Sequence, residues 1–344
     1  MKSIKLKSKG EFGIFDEAMP IPDDHNNVLI KIASVGVCGS DMHYFKHGRI
    51  GNQVVDYPFT IGHEASGYIE RIIGDPKGLK SGQLVAIEPS VSCGECDQCK
   101  AGRPHTCRKI QFMGAPGQLE GLMREYAVIP RENVFAVPEG FTANEAAYVE
   151  PMSIGAYAVK LSRLSKKDTI GIVGVGPIGM SVLLSLRYQG NEANYVWDKL
   201  DYRLENAKKA GAAWTGNPDK MELERELLKA VPEALDVVIE CCGKQEALDM
   251  AIKVLKPGGK LVIVGIPTED RISFDMGDLR RKEIEIINVR RQNHSVYDAV
   301  KIVDHFRPLD NFLITHSSGY DKTNEVFDMV DTYSDNVVKA VVRF

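Results

Sequence analysis

Eight residues in two groups carry most of the metal chemistry this chain can do. Cys93, Cys96 and Cys99 are spaced by three, and Cys107 follows eight residues later. Four thiolates at that spacing can wrap one tetrahedral ion through a single loop and leave no open position, which describes a structural zinc and not a catalytic one. Free thiols, a disulfide pair and an iron–sulfur cluster are the competing readings. The second group is dispersed: Cys38, the pair His63-Glu64, and Glu150. Singly these are bland, since a lone cysteine is usually a core thiol and a lone glutamate a surface residue. Together they offer a thiolate, an imidazole and carboxylates, a set that suits zinc with one position left for a substrate.

A third signal concerns phosphate. Gly174-Val175-Gly176-Pro177-Ile178-Gly179 follows an apolar β-branched run and opens a helical pattern. In that context the first glycine makes the tight turn, the second lets backbone approach a pyrophosphate, and the third lets helix and strand pack closely. The N–H groups of the new helix and its positive end then face the phosphates. Asp198 lies 19 residues beyond Gly179, at the end of the next strand pattern. Its carboxylate can accept from a ribose 2′-hydroxyl and repels a 2′-phosphate, which favours NAD over NADP. Arg203, close behind, either lies along the adenine or receives a phosphate.

These residues need elements to hold them. The chain has 344 residues, enough for two domains, with 44% hydrophobic and 26% charged residues, the balance of a packed globular protein. The net charge of −4, with both signs spread along the chain, leaves no footprint for nucleic acid or an anionic membrane surface, so a small-molecule partner is expected. Up to about Pro138 short alternating runs such as Val28–Val37 and Ala65–Ile73 predict a mainly β region. From Thr169 strands and helices alternate, which predicts a parallel sheet covered by helices, and from about Ile284 the chain returns through a strand, a helix near Val296–His305 and a terminal strand Val337–Phe344. Thr169 to Leu186 is uncharged, but its glycines and Pro177 would interrupt a membrane span. Met1–Gly10 reads as a strand with a lysine face and lacks the apolar core of a secretory signal. With only seven, clustered cysteines, a cytoplasmic protein is expected.

With these residues in view, the chain resembles the zinc-dependent medium-chain dehydrogenases, and among them the sorbitol (L-iditol) and xylitol dehydrogenases. The matching stretches are Cys38-Gly39-Ser40-Asp41-Met42-His43-Tyr44, Gly48-Arg49-Ile50-Gly51, Gly62-His63-Glu64-Ala65-Ser66-Gly67, Glu150-Pro151-Met152-Ser153 and the glycine turn at Gly174. The resemblance implies an α/β fold in which a doubly wound Rossmann domain, residues 152–287, joins a mainly β GroES-like catalytic domain made of residues 1–151 and 288–344. It implies two zinc ions per chain, the catalytic one on Cys38, His63 and Glu64 with Glu150 beside it, and NAD held by Gly174, Gly176, Pro177, Ile178, Gly179, Asp198 and Arg203. Ser40 and His43 resemble the family's proton relay; Tyr44, Glu150, Arg290 and Arg291 fall at polyol contacts. A homo-oligomer, tetramer or dimer, is implied as well.

One thiolate and one carboxylate cancel the charge of Zn²⁺, and neighbouring hydroxyls of a polyol compensate for the weaker electrophile by chelation. The chain departs from the sorbitol pattern at Arg290-Arg291, where that group has an Arg-Tyr pair, so a sugar-alcohol phosphate or another secondary alcohol is the alternative substrate. A non-catalytic nucleotide-binding protein on the same fold is the reading from another class.

Overall fold

The computed structural model describes residues 1–22, 27–267, 269 and 271–344. It divides into two compact units, Met1–Glu150 with Arg307–Phe344, and Pro151–Phe306.

The first unit is built on a seven-stranded sheet. Its path runs from Val134–Ala136 through Leu84–Ile87, Glu64–Ile72, Asn27–Gly36 and Lys339–Arg343 to Ile314–Gly319, with Tyr126–Pro130 also pairing to Asn27–Gly36. The long strand Asn27–Gly36 is rich in β-branched residues, and Val28, Ile30, Ile32 and Val35 enter a core with Ile4, Leu6, Phe45, Ile69 and Phe327. The two strands that end or begin beside the candidate metal residues, Asn27–Gly36 and Glu64–Ile72, pair antiparallel with Gly36 opposite Glu64. Helix Gly39–His47 starts directly after Cys38 and stops at Gly48, whose φ of +69° is left-handed.

The second unit carries six parallel strands in the order Trp214–Gly216, Asn194–Trp197, Ile170–Val173, Leu235–Glu240, Leu255–Ile263, Glu285–Asn288. Strand Ile170–Val173 is buried along its whole length, as parallel strands covered on both faces are. Helix Pro177–Tyr188 follows it, with proline at its first position, where no N–H is needed, and Val182, Leu183, Leu184 and Leu186 buried. Among the described residues no helix is long and apolar enough to cross a membrane.

The division differs from the expected one at its second boundary. Residues 288–306, assigned from sequence to the catalytic domain, lie in the second unit. Glu285–Asn288 extends the parallel sheet, the Val289 N–H reaches Ile263 O at 2.9 Å, and helix Val296–Phe306 packs on helix Pro177–Tyr188, with His305 edge-on to Tyr188 at 5.4 Å. The chain rejoins the first unit only at Arg307.

Candidate functional site

The cysteine loop is set by two short helical turns, Asp97–Lys100 and Pro104–Thr106. Its sulfurs stand 4.0 Å apart for Cys93 and Cys99, 3.6 Å for Cys96 and Cys99, 3.8 Å for Cys96 and Cys107, and 3.4 Å for Cys93 and Cys107. Zinc–sulfur bonds of about 2.3 Å at tetrahedral angles need sulfurs about 3.8 Å apart, so the loop fits that ion closely. All seven cysteines are unbridged, which removes the disulfide reading. Backbone N–H groups of Cys93 and Lys109 point at the Cys107 sulfur, 3.3 and 3.4 Å away. N–H groups of Arg108 and Cys99 hold the Cys96 thiol down to about 6, whereas burial and the neighbouring sulfurs push Cys99 up to about 11.

The dispersed group also comes together. One donor atom each from Cys38, His63 and Glu64 lie within 4.8 Å of one another. Asp41, fully buried, ties the segments that carry them. One carboxylate oxygen accepts the Cys38 N–H at 3.1 Å, and the other accepts the Gly62 N–H at 3.2 Å and stands 3.5 Å from His63 Nδ1. A carboxylate on Nδ1 sets the tautomer that leaves Nε2 as the ring's donor to a metal. Burial alone would depress the His63 pKa, yet Asp41 and Cys38 beside it raise it well above the ordinary imidazole value. A pocket that draws a proton onto a buried ring is one whose charge favours a cation, which the donor set of thiolate, imidazole and carboxylate is suited to be.

Around this cluster stand groups of both signs. Glu150, in helix Ala143–Ser162 just before Pro151, is pushed up to about 8 by burial and by the charges of Glu64 and Glu88, against the pull of His63 and Lys339. Glu88 is buried and accepts the Ser90 N–H at 2.9 Å. Lys339, also buried, pairs with Glu64. Asp41, Glu88 and Lys339 were not singled out by sequence reasoning. Ser40 and His43 are half-buried on helix Gly39–His47, the His43 ring 5.9 Å from that of His47. Tyr44 is buried, and its hydroxyl donates to Gln53 Oε1 at 3.1 Å.

In the second unit the glycine turn has the expected local geometry. Gly174 has φ +79°, and a Cβ on Gly179 would collide with the Gly174 carbonyl. Asp198 accepts the Val175 N–H at 2.8 Å on one oxygen and the Leu200 N–H at 2.9 Å on the other. Arg203 Nη1 is 3.8 Å from Asp198 Oδ2, and the guanidinium lies against Gly176, where an added Cβ would meet Nη1 at 3.3 Å. Pro177 and Ile178 are half-buried in the first turn of the helix. Arg290 is exposed and Arg291 half-buried with φ +52°, both beyond strand Glu285–Asn288. They belong to the second unit, whereas Tyr44 and Glu150 belong to the first.

Comparison with known proteins agrees with both halves of this geometry. Residues 24–139 match the alcohol dehydrogenase GroES-like domain, and residues 177–305 match the zinc-binding dehydrogenase domain. Sorbitol dehydrogenase of Bacillus subtilis is 33% identical over 99% of this chain and 97% of its own. Sorbitol dehydrogenase of Rattus norvegicus is 34% identical over 95% of this chain and 92% of its own. Among solved structures, galactitol-1-phosphate dehydrogenase from Escherichia coli superposes with a TM-score of 0.89 at 26% identity, over 99% of each chain.

Proposed function

Because the chain belongs to the zinc-dependent medium-chain dehydrogenases, on their sorbitol dehydrogenase-like branch, we propose that it oxidises a secondary alcohol of a neutral polyol to the ketose while NAD⁺ takes up the hydride. The observation that carries this reading is the convergence of Cys38, His63 and Glu64, with the buried carboxyl of Glu150 beside them. Cys38, His63 and Glu64 would hold the catalytic zinc, and the four cysteines a structural one. Bound there, zinc supplies the Lewis acidity that makes a secondary alcohol acidic enough to lose its proton, and the nicotinamide supplies the hydride acceptor.

The chain's own residues do the rest. Asp41 fixes the direction of His63 and the position of Cys38. Burial and the charges of Glu64 and Glu88 favour the protonated form of Glu150 in the metal-free site, so it would give or take a proton next to the bound alcohol. Ser40 and His43 would carry the hydroxyl proton outward, and Tyr44 would meet the polyol. Gly174 to Gly179 would cradle the pyrophosphate, with Asp198 on the ribose and Arg203 moving off Gly176 to make room. The same resemblance carries the expectation of a cytoplasmic homo-oligomer.

Metal analysis of the undialysed protein is expected to find two zinc ions per chain, falling to one in Cys96→Ser. The cysteine loop gives that count a pH dependence. Burial and the neighbouring sulfurs favour the thiol form of Cys99, so zinc uptake is expected to expel at least one proton. Protons therefore compete with the metal, and its affinity in chelator competition should fall at least about 100-fold from pH 8 to pH 6, ten for each unit and each proton.

A second substrate reading is a sugar-alcohol phosphate, favoured by the doubled guanidinium of Arg290-Arg291. For a neutral polyol, Arg290→Gln should lower kcat/KM about 10–100-fold, chiefly through KM, since a charged donor's hydrogen bond is worth about 1.5–3 kcal/mol. For a phosphate the loss should be larger and should shrink with added salt. The test is kcat/KM for matched C5 and C6 polyols and their phosphates at two ionic strengths; a salt-sensitive preference for the phosphates replaces the first reading with the second.

A further inference from the structure

Lys339 is out of place by the pattern of its strand. Lys339–Arg343 is buried at its first four positions, and the other three are Ala340, Val341 and Val342. An ammonium withdrawn from water is unfavourable unless it is paired, and an apolar residue would pack there at less expense. Its surroundings are nevertheless built for it. Nζ donates to Val37 O at 2.9 Å and meets Glu64 Oε2, and both side chains are 2% exposed. Apart from this ammonium, no donor among the described residues reaches Glu64 Oε2. Gly36, opposite Glu64 in the sheet, leaves the space: a Cβ there would collide with the Glu64 carboxylate and sit 3.0 Å from Lys339 Cε.

We propose that Lys339 is a positioning residue that shares Glu64 with the catalytic metal, holding the carboxylate when the metal is absent and weakening its donation when the metal is present. The inference rests on the reading of Cys38, His63 and Glu64 as zinc ligands. A thiolate and a carboxylate would neutralise the zinc charge entirely; an ammonium on that same carboxylate draws electron density away from the metal and returns the centre toward positive charge. The lysine thereby lowers zinc affinity and keeps the centre electrophilic. It also keeps the metal-free protein from burying Glu64 uncompensated.

The test compares Lys339→Met, which keeps length without charge, and Lys339→Gln, which keeps a donor without charge, with the parent protein in its zinc-loaded form. Zinc affinity of the catalytic site is measured by chelator competition, and thermal midpoints are taken with and without metal. Both variants are expected to bind this zinc at least tenfold more tightly, and their midpoints should fall further in the metal-free than in the zinc-loaded form, because zinc replaces the lost positive charge. A variant that folds only with zinc present is the extreme form of that result. With Glu64→Gln already in place, adding Lys339→Met should change zinc affinity less than threefold, and Lys339→Arg alone should stay within threefold of the parent. Unchanged or weaker zinc binding in both neutral variants, in a parent that holds two zinc ions, overturns the role of Lys339. A parent that holds only the four-cysteine zinc overturns the zinc-site reading beneath it, and Lys339 with it.

Discussion

Replacing His63 with alanine is expected to lower kcat/KM for a polyol by at least about 1000-fold, since a bound metal contributes several kcal/mol of charge stabilisation and each 1.4 kcal/mol is tenfold in rate. The variant should hold one zinc per chain in place of two. Cys38 and Glu64 alone offer two donors, and Asp41, which now faces His63 Nδ1 at 3.5 Å, would be left as a buried charge without that partner. Two-state stability should therefore fall as well, while the cysteine loop in the same unit keeps its metal, because none of its ligands touches the change. Zinc content and steady-state kinetics on one preparation check this. Full zinc content with low activity would make His63 an acid–base group and remove it from the ligand set.

Asp198→Ala should produce the second large effect, a loss of coenzyme discrimination. The carboxylate accepts two backbone N–H groups, one from the glycine turn at Val175 and one from Leu200. It thus shapes the glycine turn, and in the proposed NAD⁺ site it would also be the charge that repels a 2′-phosphate. Losing the ribose contact should weaken NAD⁺ about 10–100-fold at about 1.5–3 kcal/mol for a charged hydrogen bond. Removing the repulsion next to Arg203, whose Nη1 is 3.8 Å away, should at the same time improve NADP⁺. The ratio of kcat/KM values for the two coenzymes is then expected to move by at least about 100-fold. A parent protein that already turns over NADP⁺ more efficiently would show that Arg203 dominates this site.

How legible each feature is in the sequence follows from how locally it is encoded. The four-cysteine loop and the glycine turn were readable because all of their parts lie within one loop or one turn, where spacing alone dictates geometry. The set of Cys38, His63 and Glu64 spans two strands and a helix, so its convergence depends on the antiparallel register that puts Gly36 opposite Glu64. Residue types alone mark Cys38, His63, Glu64 and Glu150 as a set that suits zinc, but the choice of three ligands among them comes only through resemblance. Asp41 stood inside a matching stretch, yet its work is hydrogen bonding to Cys38, Gly62 and His63, which no spacing reveals. Lys339 did leave a signal: a lone lysine in the run Val337-Val338-Lys339-Ala340-Val341-Val342 is a charge in an otherwise buried strand. Helix Leu223–Ala230 does carry a helical period, since Leu223, Leu227 and the following Val231 are buried at steps of four, but its many charges and its brevity mask it. The expected boundary at residue 288 falls in the wrong place for a different reason. A strand at a sheet edge and a helix behind it look the same in sequence whichever sheet they join, and only their pairing with Leu255–Ile263 and packing on Pro177–Tyr188 decide it.

Polyol oxidation by this chain is expected to depend on zinc held by Cys38, His63 and Glu64. That dependence is tested most directly by following NADH formation from a panel of C5 and C6 polyols while a chelator removes metal and zinc is then returned, with zinc per chain counted at each step in the parent and in Cys96→Ser. Activity toward at least one neutral polyol is expected to fall in proportion to one zinc per chain and to recover on its return, with Cys96→Ser retaining that same activity-linked ion. Undiminished NADH formation after the zinc outside the cysteine loop has been removed would contradict it.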